Sequence, residues 1–407
     1  MTRNELSGTA RPDRAGLGLF GRGVAAALGR LKFGALEVAW PDGRRLTFEG
    51  TEPGPRGTIV VRDPACVRRM VLGGSIGLAE GYMSGQWDSP DLTAFLEFAA
   101  MNVDAVREAG KRVTAPLNPI NRALHSLKDN TLRGSKRNIG YHYDLGNDFY
   151  ALWLDPDMTY SCALFDGSEC DLAEAQRRKW DRLLDLLDAR PGQRLLEIGC
   201  GWGGFAIHAA KTRDLHVTGI TISDEQLAWA QRRVAEEGLT DRVEVRHQDY
   251  RSLDERFDRV ASIEMFEAVG MRWWPTFFRS VRDALAEGGR AAIQVITIDD
   301  DRLDDYAAKP DFIQRYIFPG GMLPSPEAFA RVAATEGLAC ERPFFFGSDY
   351  AMTLSTWEER FAETVQRVRG LGFDERFERM WRFYLSYCQA GFRTGSIDVM
   401  QVALTRA

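Results

Sequence analysis

Hydrophobic and polar positions follow one pattern in the first quarter of the chain. Between residues 35 and 62 they alternate and are interrupted by the turn residues Pro41–Gly43, which predicts short antiparallel strands. Residues 64–106 follow helical spacing, with a break at residues 85–90. The pattern predicts a small α+β domain over residues 1–106.

The pattern changes from about residue 138, where apolar strand segments alternate with amphipathic helices. Such alternation indicates a mostly parallel sheet covered by helices on both faces. Asp398–Leu404 follows a long aromatic helix, and we expect it to form a final antiparallel strand. The other predicted segments are Gln193–Gly199, His216–Thr221, Glu225–Glu237, Val243–Arg246, Arg259–Met265, Pro275–Ala286 and Arg290–Ile296. An α/β domain is therefore predicted over residues 138–407.

Two segments outside these patterns bear on membrane contact. Residues 111–137, within a linker predicted over residues 107–137, carry seven basic side chains against the single acid Asp129. This excess is compatible either with an anionic surface or with a solvated connector. Leu17–Phe33 mixes apolar and basic residues, as in a helix lying on lipid, but its four glycines weaken helix formation.

Composition narrows the class of protein. A net charge of −6 over 407 residues argues against general nucleic-acid binding. The six cysteines form no CxxC pair and the five histidines have no ligand spacing, so we expect free thiols and no metal site. No stretch approaches the roughly 20 apolar residues of a membrane span. The sequence thus predicts a cytoplasmic protein that is soluble or peripheral to the membrane.

A glycine-rich segment, Glu197–Gly204, lies between a predicted strand and a predicted helix. Its spacing is G-x-G-x-G-G, which differs from the G-x-G-x-x-G of dinucleotide binders. Glycines at 199, 201 and 203 allow a tight turn and close approach of a ligand. After the next two strands, polar groups are available to a nucleotide cofactor at Thr221, Ser223, Gln226, Asp249 and Tyr250. Ser223 is equally suited to capping a helix, and Asp249 and Tyr250 to a solvated loop.

Several stretches together resemble the cyclopropane fatty acid synthase family, over most of residues 60–405. The resemblance implies a Rossmann-like class I methyltransferase domain with a mostly parallel seven-stranded sheet, preceded by a small lipid-docking domain. The matching stretches are Gly73–Met83, Tyr141–Tyr150 with Met158–Cys162, Glu197–Gly204, Met265–Gly270 and Tyr316–Gly321 with Leu323–Ser325.

The activity implied by the resemblance is transfer of a methylene group from S-adenosylmethionine to the cis double bond of an unsaturated phospholipid acyl chain. A homodimer at the inner face of the membrane is also implied. Glu197 occupies the position where methyltransferases keep an acid near the methionine ammonium group. Tyr160 and Ser161 are implied as further cofactor contacts, together with Gly199, Gly201 and Gly203.

The implied chemistry needs a base and a dry site. Methylation of an alkene leaves a carbocation, and a base must remove a proton before a ring can close. Water must be excluded, and aromatic faces such as Phe266, Tyr316 and Phe318 are candidates to stabilise the cation. The Phe344–Phe346 run is another candidate, although an ordinary core strand is the favoured interpretation.

In the family a bound bicarbonate ion acts as the base, and the resemblance assigns its contacts here. They are Cys162, Glu267, Gln294, the backbone of Ile296, and Tyr316. Glu267 would accept a hydrogen bond from the ion and Tyr316 would donate one. Cys162 also fits a packed thiol.

Two glutamates and one glutamine complicate this assignment. Glu264 lies three residues before Glu267, and the spacing at a strand end favours Glu267 alone as functional. Many family members have His where this chain has Gln294, which can donate and accept hydrogen bonds but cannot titrate. Methylation without ring closure, giving a methyl- or methylene-branched chain, is therefore an alternative product.

Two further hypotheses change the class of function. Some small-molecule amine N-methyltransferases share these motifs. The small N-terminal domain argues against that function here, since a soluble amine needs no lipid-docking module. A silent lipid-binding scaffold is disfavoured by the intact glycine loop with Glu267 and Tyr316.

Overall fold

The computed structural model describes residues 31–103, 145–167 and 170–407. The chain divides into two compact units, Met1–Asn118 and Pro119–Ala407. The predicted linker and residues 17–30 of the predicted amphipathic stretch lie outside the described residues, and the three domain bounds stay predictions.

The first unit is a small α+β domain in which a four-stranded sheet packs against helices. Its strands lie in the order β2-β1-β3-β4. Buried Phe95 and Phe98 on the second helix pack over Gly57, where an added Cβ would come within 3.1 Å of Phe95. The elements are β1 (Phe33–Ala39), β2 (Arg45–Glu49), β3 (Glu52–Val61), α1 (Ala65–Met83, kinked at Gly74), β4 (Trp87–Asp88) and α2 (Leu92–Met101).

The prediction that these strands are all antiparallel is wrong for one pair. β2 runs antiparallel to β1, but β3 pairs with the other edge of β1 in parallel, with Leu36 opposite Gly57. The chain reverses once between β1 and β2 and again between β2 and β3. Two reversals restore the direction of β1, and the alternation of apolar residues carries no information about which edge the third strand joins.

The second unit is the predicted α/β domain. Its sheet has the order β10-β12-β9-β8-β5-β6-β7, and β5 to β9 are parallel while β12 runs antiparallel to β9. The strands are β5 (Arg194–Ile198), β6 (His216–Thr221), β7 (Val243–His247), β8 (Phe257–Ile263), β9 (Leu285–Ile298), β10 (Leu338–Cys340), β11 (Phe344–Phe345) and β12 (Ile397–Arg406). The short β11 pairs with β12 and adds an eighth strand to the seven implied by the resemblance.

Helices cover both faces of this sheet. Successive β5 residues face opposite ways, so Leu195 joins one apolar cluster and Leu196 the other. The helices are α3 (Asn147–Tyr150), α4 (Leu172–Leu186), α5 (Gly204–Arg213), α6 (Asp224–Glu236), α7 (Trp274–Ala284), α8 (Leu303–Ala308), α9 (Pro326–Thr335), α10 (Gly347–Gly370) and α11 (Glu375–Arg393). None of the helices in the described part of the chain is both long and apolar enough to cross a membrane.

The order of the strands fixes where a ligand can bind. β5 is flanked by β6 on one side and β8 on the other, so the chain crosses over in opposite directions from this point. Ligands of open α/β sheets bind at the carboxyl ends of the strands beside such a reversal. The loops after β5, β6, β8 and β9 are therefore expected to form the ligand-binding site.

Candidate active site

The glycine loop follows β5 directly and leads into α5. Gly199, Gly201 and Gly203 have φ values of 81°, 51° and 85°, in the left-handed region that favours glycine. A Cβ at Gly199 would lie 2.7 Å from the Met265 side chain, whereas a Cβ at Gly201 would point into open space. Gly199 is thus required for packing, and Gly201 leaves the loop backbone open to a ligand.

Glu197, at the end of β5, is buried and carries an unsatisfied oxygen. Its Oε2 accepts no hydrogen bond from any group in the described ranges. Burial raises the pKa of this carboxyl to about 8, and the nearby positive charge of Lys179 opposes the rise. A buried carboxylate beside an open glycine loop suits a cationic group such as an ammonium, which fits S-adenosylmethionine.

The polar residues after β6 hold one another. Ser223 Oγ accepts from the backbone N of Gln226 at 3.3 Å and caps α6, so its capping role is present in the structure. Thr221 Oγ1 donates to Gln226 Oε1 at 2.9 Å and accepts from the backbone N of Ser223 at 3.2 Å. These bonds fix Thr221 and Gln226 beside the glycine loop.

Asp249, after β7, is held by an arginine that the sequence reasoning did not single out. Arg251 donates to Asp249 through Nε at 2.8 Å and through Nη2 at 2.7 Å. The Tyr250 ring packs edge-on against Phe277, with centroids 5.5 Å apart. The pair is therefore rigid, which contrasts with the solvated-loop alternative.

Glu264 and the groups that bond it, from Cys162, Gln294 and Tyr350, lie at the carboxyl ends of β8 and β9. We call these four residues the carboxylate centre. Glu264 Oε1 accepts from the backbone N of Cys162 at 2.8 Å and from Gln294 Nε2 at 2.7 Å. Glu264 Oε2 accepts from the Tyr350 hydroxyl at 2.5 Å. Three donors from distant parts of the sequence thus converge on Glu264, which the sequence reasoning had set aside.

Glu267 lies beside this centre in a different setting. Its Oε1 accepts from the backbone N of Ile296 at 2.6 Å. Its Oε2 is buried, and no group in the part of the chain that the structure describes donates to it. The structure therefore gathers Cys162, Glu267, Gln294 and Ile296 as the resemblance implied, but around a second glutamate.

A tyrosine that the sequence reasoning did not single out, Tyr350 at the start of α10, reaches this centre. Contacts of Tyr316 include the Phe312 ring, at 5.7 Å between centroids, and the Arg315 guanidinium, 5.6 Å above the ring. Tyr316 belongs to a π-helical turn, Ile313–Ile317, while Tyr350 is 86 residues from Glu264. Only the packing of α10 against the sheet brings its hydroxyl to the centre, so no local motif pointed to it.

The amide of Gln294 is fixed by a chain of hydrogen bonds. Arg182 Nη1 donates to Gln401 Oε1 at 3.0 Å, and Gln401 Nε2 donates to Gln294 Oε1 at 2.9 Å. Gln294 Nε2 then donates to Glu264 and, at 3.4 Å, to the carbonyl of Cys162. Both N–H groups of Gln294 are thus directed at protein oxygens.

A buried lysine lies under the carboxylate centre. Lys179 is fully buried and its Nζ donates to Ser161 Oγ at 2.6 Å. Burial lowers the pKa of Lys179 to about 8, while the charge of Glu264, chief among its acidic neighbours, acts in the opposite direction. Ser161, expected at the cofactor, is engaged by this lysine.

Cys162 contributes its backbone N–H group, and not its thiol, to the hydrogen bonds of Glu264. Its thiol is fully buried and donates to the carbonyl of Ala163 at 3.2 Å. Burial, together with the charge of Glu264, raises the pKa of the thiol well above its usual range. The thiol therefore stays protonated, in line with the packed-thiol interpretation, and the N–H is the group that reaches Glu264.

The two glutamates are separated electrostatically. Burial raises the pKa of both carboxyls, but the hydrogen bonds from Tyr350 and Gln294 and the charge of Lys179 oppose the rise at Glu264. Burial and the charge of Glu264 raise the pKa of Glu267 to about 8. The hydrogen bonds and the lysine therefore favour the ionised form of Glu264, whereas burial and the charge of Glu264 favour the protonated form of Glu267.

Aromatic rings adjoin this centre. The Tyr160 ring packs against Tyr150, Trp153 and Trp357, with centroids 5.4 to 5.6 Å apart. Trp357 also meets Tyr350, which connects the rings to Glu264. We call this group, with two further members, the aromatic wall. Its members are Tyr150, Trp153, Tyr160, Phe318, Trp357 and Tyr384, and the Tyr160 and Tyr384 hydroxyls are 2.7 Å apart.

Two of the aromatic candidates for stabilising a cation have other roles. Phe266 is fully buried in the apolar core, with Phe329 at 5.2 Å and Phe277 at 5.0 Å. It points away from the loop because the turn after β8 packs that face against α7. Phe344 lies half-buried in the two-residue β11 under the Arg182 guanidinium and Phe345 is 42% exposed, so the core-strand interpretation of this run is wrong for both residues. Phe318, another of the candidates, joins the wall through Tyr160 and Tyr384.

Comparison with known proteins identifies similar chains. A family model described as mycolic acid cyclopropane synthetase matches residues 130–402. The sequence is 41% identical to a tuberculostearic acid methyltransferase of Mycobacterium tuberculosis, covering 91% of this chain and 88% of that one. It is 36% identical to a cyclopropane-fatty-acyl-phospholipid synthase of Escherichia coli, covering 89% and 90%. A mycolic acid cyclopropane synthase crystallised with S-adenosylhomocysteine and a cationic detergent superposes with a TM-score of 0.62 at 32% identity, covering 66% of this chain and 97% of that one.

Proposed function

The chain belongs to the mycolic acid cyclopropane synthetase family of S-adenosylmethionine-dependent methyltransferases, and we propose that it alkylates the cis double bond of an unsaturated phospholipid acyl chain. We infer that the alkylated chain closes to a cyclopropane. The relative from Escherichia coli, named for phospholipid-bound acyl chains, supports this choice of substrate.

The observation that carries the proposal is the carboxylate centre beside the glycine loop. S-adenosylmethionine, when bound, supplies an electrophilic methyl group. Glu197 suits its ammonium group, and Gly201 leaves room for it at the loop. An alkene methylated here becomes a cation, and the carboxylate centre offers a negative charge and a proton acceptor.

The aromatic wall serves the same intermediate. Each aromatic face stabilises a nearby cation by about 0.5–2 kcal/mol. The wall also keeps water from trapping the cation. Trp153 and Trp357 are fully buried, so this side of the site is apolar and dry.

A second product is favoured by one specific observation. The relative that is 41% identical is named a tuberculostearic acid methyltransferase, and tuberculostearic acid is a methyl-branched fatty acid. If the proton leaves the neighbouring chain carbon instead of the added methyl group, a branched alkene forms in place of a ring. Both products arise from the same cation, so one experiment separates them.

We propose that the enzyme works as a peripheral homodimer at the inner face of the membrane. The apolar and basic residues of Leu17–Phe33 and the basic excess in residues 111–137 favour binding to anionic lipid. An acyl chain within a bilayer is reached only from its surface.

Expression in a host without such an enzyme tests the proposal. We expect the host's monounsaturated fatty acids to gain one CH₂ by mass spectrometry. Mild hydrogenation identifies the product, because a branched alkene takes up hydrogen and a cyclopropane resists. A Glu267→Ala variant serves as the control, and we expect it to bind cofactor without forming product.

Each outcome decides between the candidates. A resistant product supports cyclopropane formation, and a hydrogenated product replaces it with alkene methylation. Unchanged lipids, with methyl transfer to soluble amines in the same lysate, would overturn the lipid proposal. Unchanged lipids without cofactor binding would point to the scaffold hypothesis.

A further inference from the structure

Three of the donors that the resemblance assigns to a bicarbonate ion are occupied by side chains of this protein. The backbone N of Cys162 and Nε2 of Gln294 both donate to Glu264 Oε1. The backbone N of Ile296 donates to Glu267 Oε1. These three donors are engaged by carboxylates of the protein and are not left for a free anion, so this part of the site does not fit bound bicarbonate.

Charge leads to the same conclusion. A bicarbonate ion at this place would lie against two buried acidic side chains, the carboxylate of Glu264 that Cys162 and Gln294 already bond and the carboxyl of Glu267. Like charges at close range in a poorly solvated site cost several kcal/mol. Lys179, the buried cation of the site, already lies close enough to Glu264 and Glu197 to act on both pKa values.

We propose that the Glu264 carboxylate is the general base of the reaction and replaces an external bicarbonate ion. This inference rests on the proposed function and adds the identity of its base. A carboxylate bonded to the chain has the same two oxygens and the same charge as the ion, and it needs no binding step.

The step balances in atoms and electrons. When the alkene π pair bonds to the methyl carbon, the methyl–sulfur bond breaks and its electron pair stays on the sulfur of departing S-adenosylhomocysteine, so the other alkene carbon is cationic. Glu264 takes a proton from the added methyl group, and the C–H electron pair forms the third bond of the ring. Glu264 becomes a carboxylic acid and returns the proton to solvent before the next cycle.

The hydrogen bonds indicate which oxygen accepts the proton. Oε1 accepts two bonds, from Cys162 and Gln294, whereas Oε2 accepts one, from Tyr350, within the described residues. Each carboxylate oxygen has two acceptor positions. The open acceptor position is therefore on Oε2, the oxygen that accepts from the Tyr350 hydroxyl. The Tyr350 ring in turn contacts Trp357 of the aromatic wall.

The backbone of Glu264 is also unusual. Its φ is 48°, a conformation that costs a non-glycine residue roughly 1–2 kcal/mol. Strain of this kind persists where the surroundings over-determine the position, and it clusters at active sites. The bonds from three segments and the backbone bond from Glu264 N to the Gln294 carbonyl, 2.9 Å long, hold it in place.

The test removes the carboxylate and supplies one from solution. In Glu264→Gly the backbone strain is relieved and space opens at the freed donors. We expect the rate of lipid methylation to fall about 10²- to 10⁴-fold. We expect formate, acetate or bicarbonate to restore part of it, and ¹³C-formate to show line broadening with the variant but not with the wild-type protein. Asp188→Gly is the matched control, because exposed Asp188 has the same φ of 48° outside the site.

Glu264→Gln keeps the shape of the side chain and covers the case in which the glycine variant does not fold. We expect it to bind cofactor normally and to be inactive and not rescued, since no space opens. Wild-type enzyme should keep its rate in CO₂-free buffer. A wild-type requirement for bicarbonate, or a Glu264→Gly variant at full rate without added anions, would overturn the inference while the proposed function stands. Absence of any lipid product from the wild-type enzyme, with or without bicarbonate, would instead count against the proposed function.

Discussion

Two glutamates of the same turn have carboxyl groups in contrasting surroundings. Glu264 receives three hydrogen bonds, whereas Glu267 receives one and has a buried oxygen without a donor in the described residues. Burial raises the pKa of both carboxyls, but only at Glu264 do side-chain hydrogen bonds and the Lys179 charge oppose the rise, which favours Glu264 as base and Glu267 as proton donor. The protonated oxygen of Glu267 is thus available to donate within the site.

We expect this assignment to appear in the pH dependence of the rate. The pKa of Glu267 is raised to about 8, so above that pH it ionises beside the charged Glu264 and kcat should fall. Glu267→Gln keeps an uncharged donor at this place. We predict that the alkaline fall in kcat seen in the wild-type enzyme is absent or displaced in this variant.

Two other buried groups titrate in the same pH range, and either could cause an alkaline fall in kcat. Burial brings the pKa of Lys179 and that of Glu197 to about 8 as well. If Glu267→Gln shows the same alkaline limb as the wild-type enzyme, the limb belongs to one of these groups. The proton assigned to Glu267 would then be wrong.

At the scale of elements, the pairing of β9 with β12 builds the support for the base. Antiparallel register places Gln294 opposite Gln401, and Arg182 from α4 completes the chain of bonds. Without Gln401 the Gln294 amide is free to turn its oxygen toward Glu264. Two acceptors would then face each other, and Glu264 would lose a donor.

We predict that Gln401→Leu lowers kcat about 10-fold and leaves KM for the cofactor nearly unchanged. It should also cost about 1–3 kcal/mol of stability, because Gln294 Oε1 loses its buried donor. Gln389→Leu is the matched control: Gln389 is equally buried, and its side chain donates to the Ala351 carbonyl at 3.2 Å instead of to Gln294. Equal losses of kcat in both variants would show that Gln401 has a merely structural role.

The strands of both units follow from local patterns, and their pairing only partly does. His216–Thr221 is a strand over the predicted bounds, because its apolar run and flanking turns are local signals. The parallel pairing of β1 with β3 depends on which edge the chain returns to. The glycine loop could be predicted from the sequence because, as in β6, its residues are consecutive.

The carboxylate centre was harder to predict from the sequence because its members come from four segments of the chain. The resemblance and the three-residue spacing favoured Glu267 over Glu264, and the resemblance assigned Tyr316. Selecting Glu264 and Tyr350 requires the β8–β9 register, in which Ile263 pairs with Gln294, and the packing of α10. Neither is a local property of the sequence.

For the molecule as a whole, the buried acids couple folding to pH. Unfolded glutamates titrate near 4.5, whereas Glu197 and Glu267 titrate at about 8 in the folded protein. Between these values the folded state binds more protons than the unfolded state. Their contribution to stability is complete below about pH 4.5 and is lost as the pH rises through about 8. Acids whose pKa is lowered by arginine, such as Glu244 beside Arg246, act below this range and with the opposite sign.

We predict that the thermal midpoint of the cofactor-free protein falls between about pH 5.5 and about pH 7.5, at a rate that corresponds to at most ~1.4 kcal/mol per pH unit for each buried acid. Glu197→Gln cannot titrate, so calorimetry should find a smaller slope in this variant. Glu244→Gln is the control, because Glu244 is ionised in both the folded and unfolded states throughout this range and its removal should leave the slope unchanged. Equal slopes for the wild-type protein and Glu197→Gln would mean that Glu197 is already ionised in the folded protein. Its open oxygen would then need a cation even before S-adenosylmethionine binds.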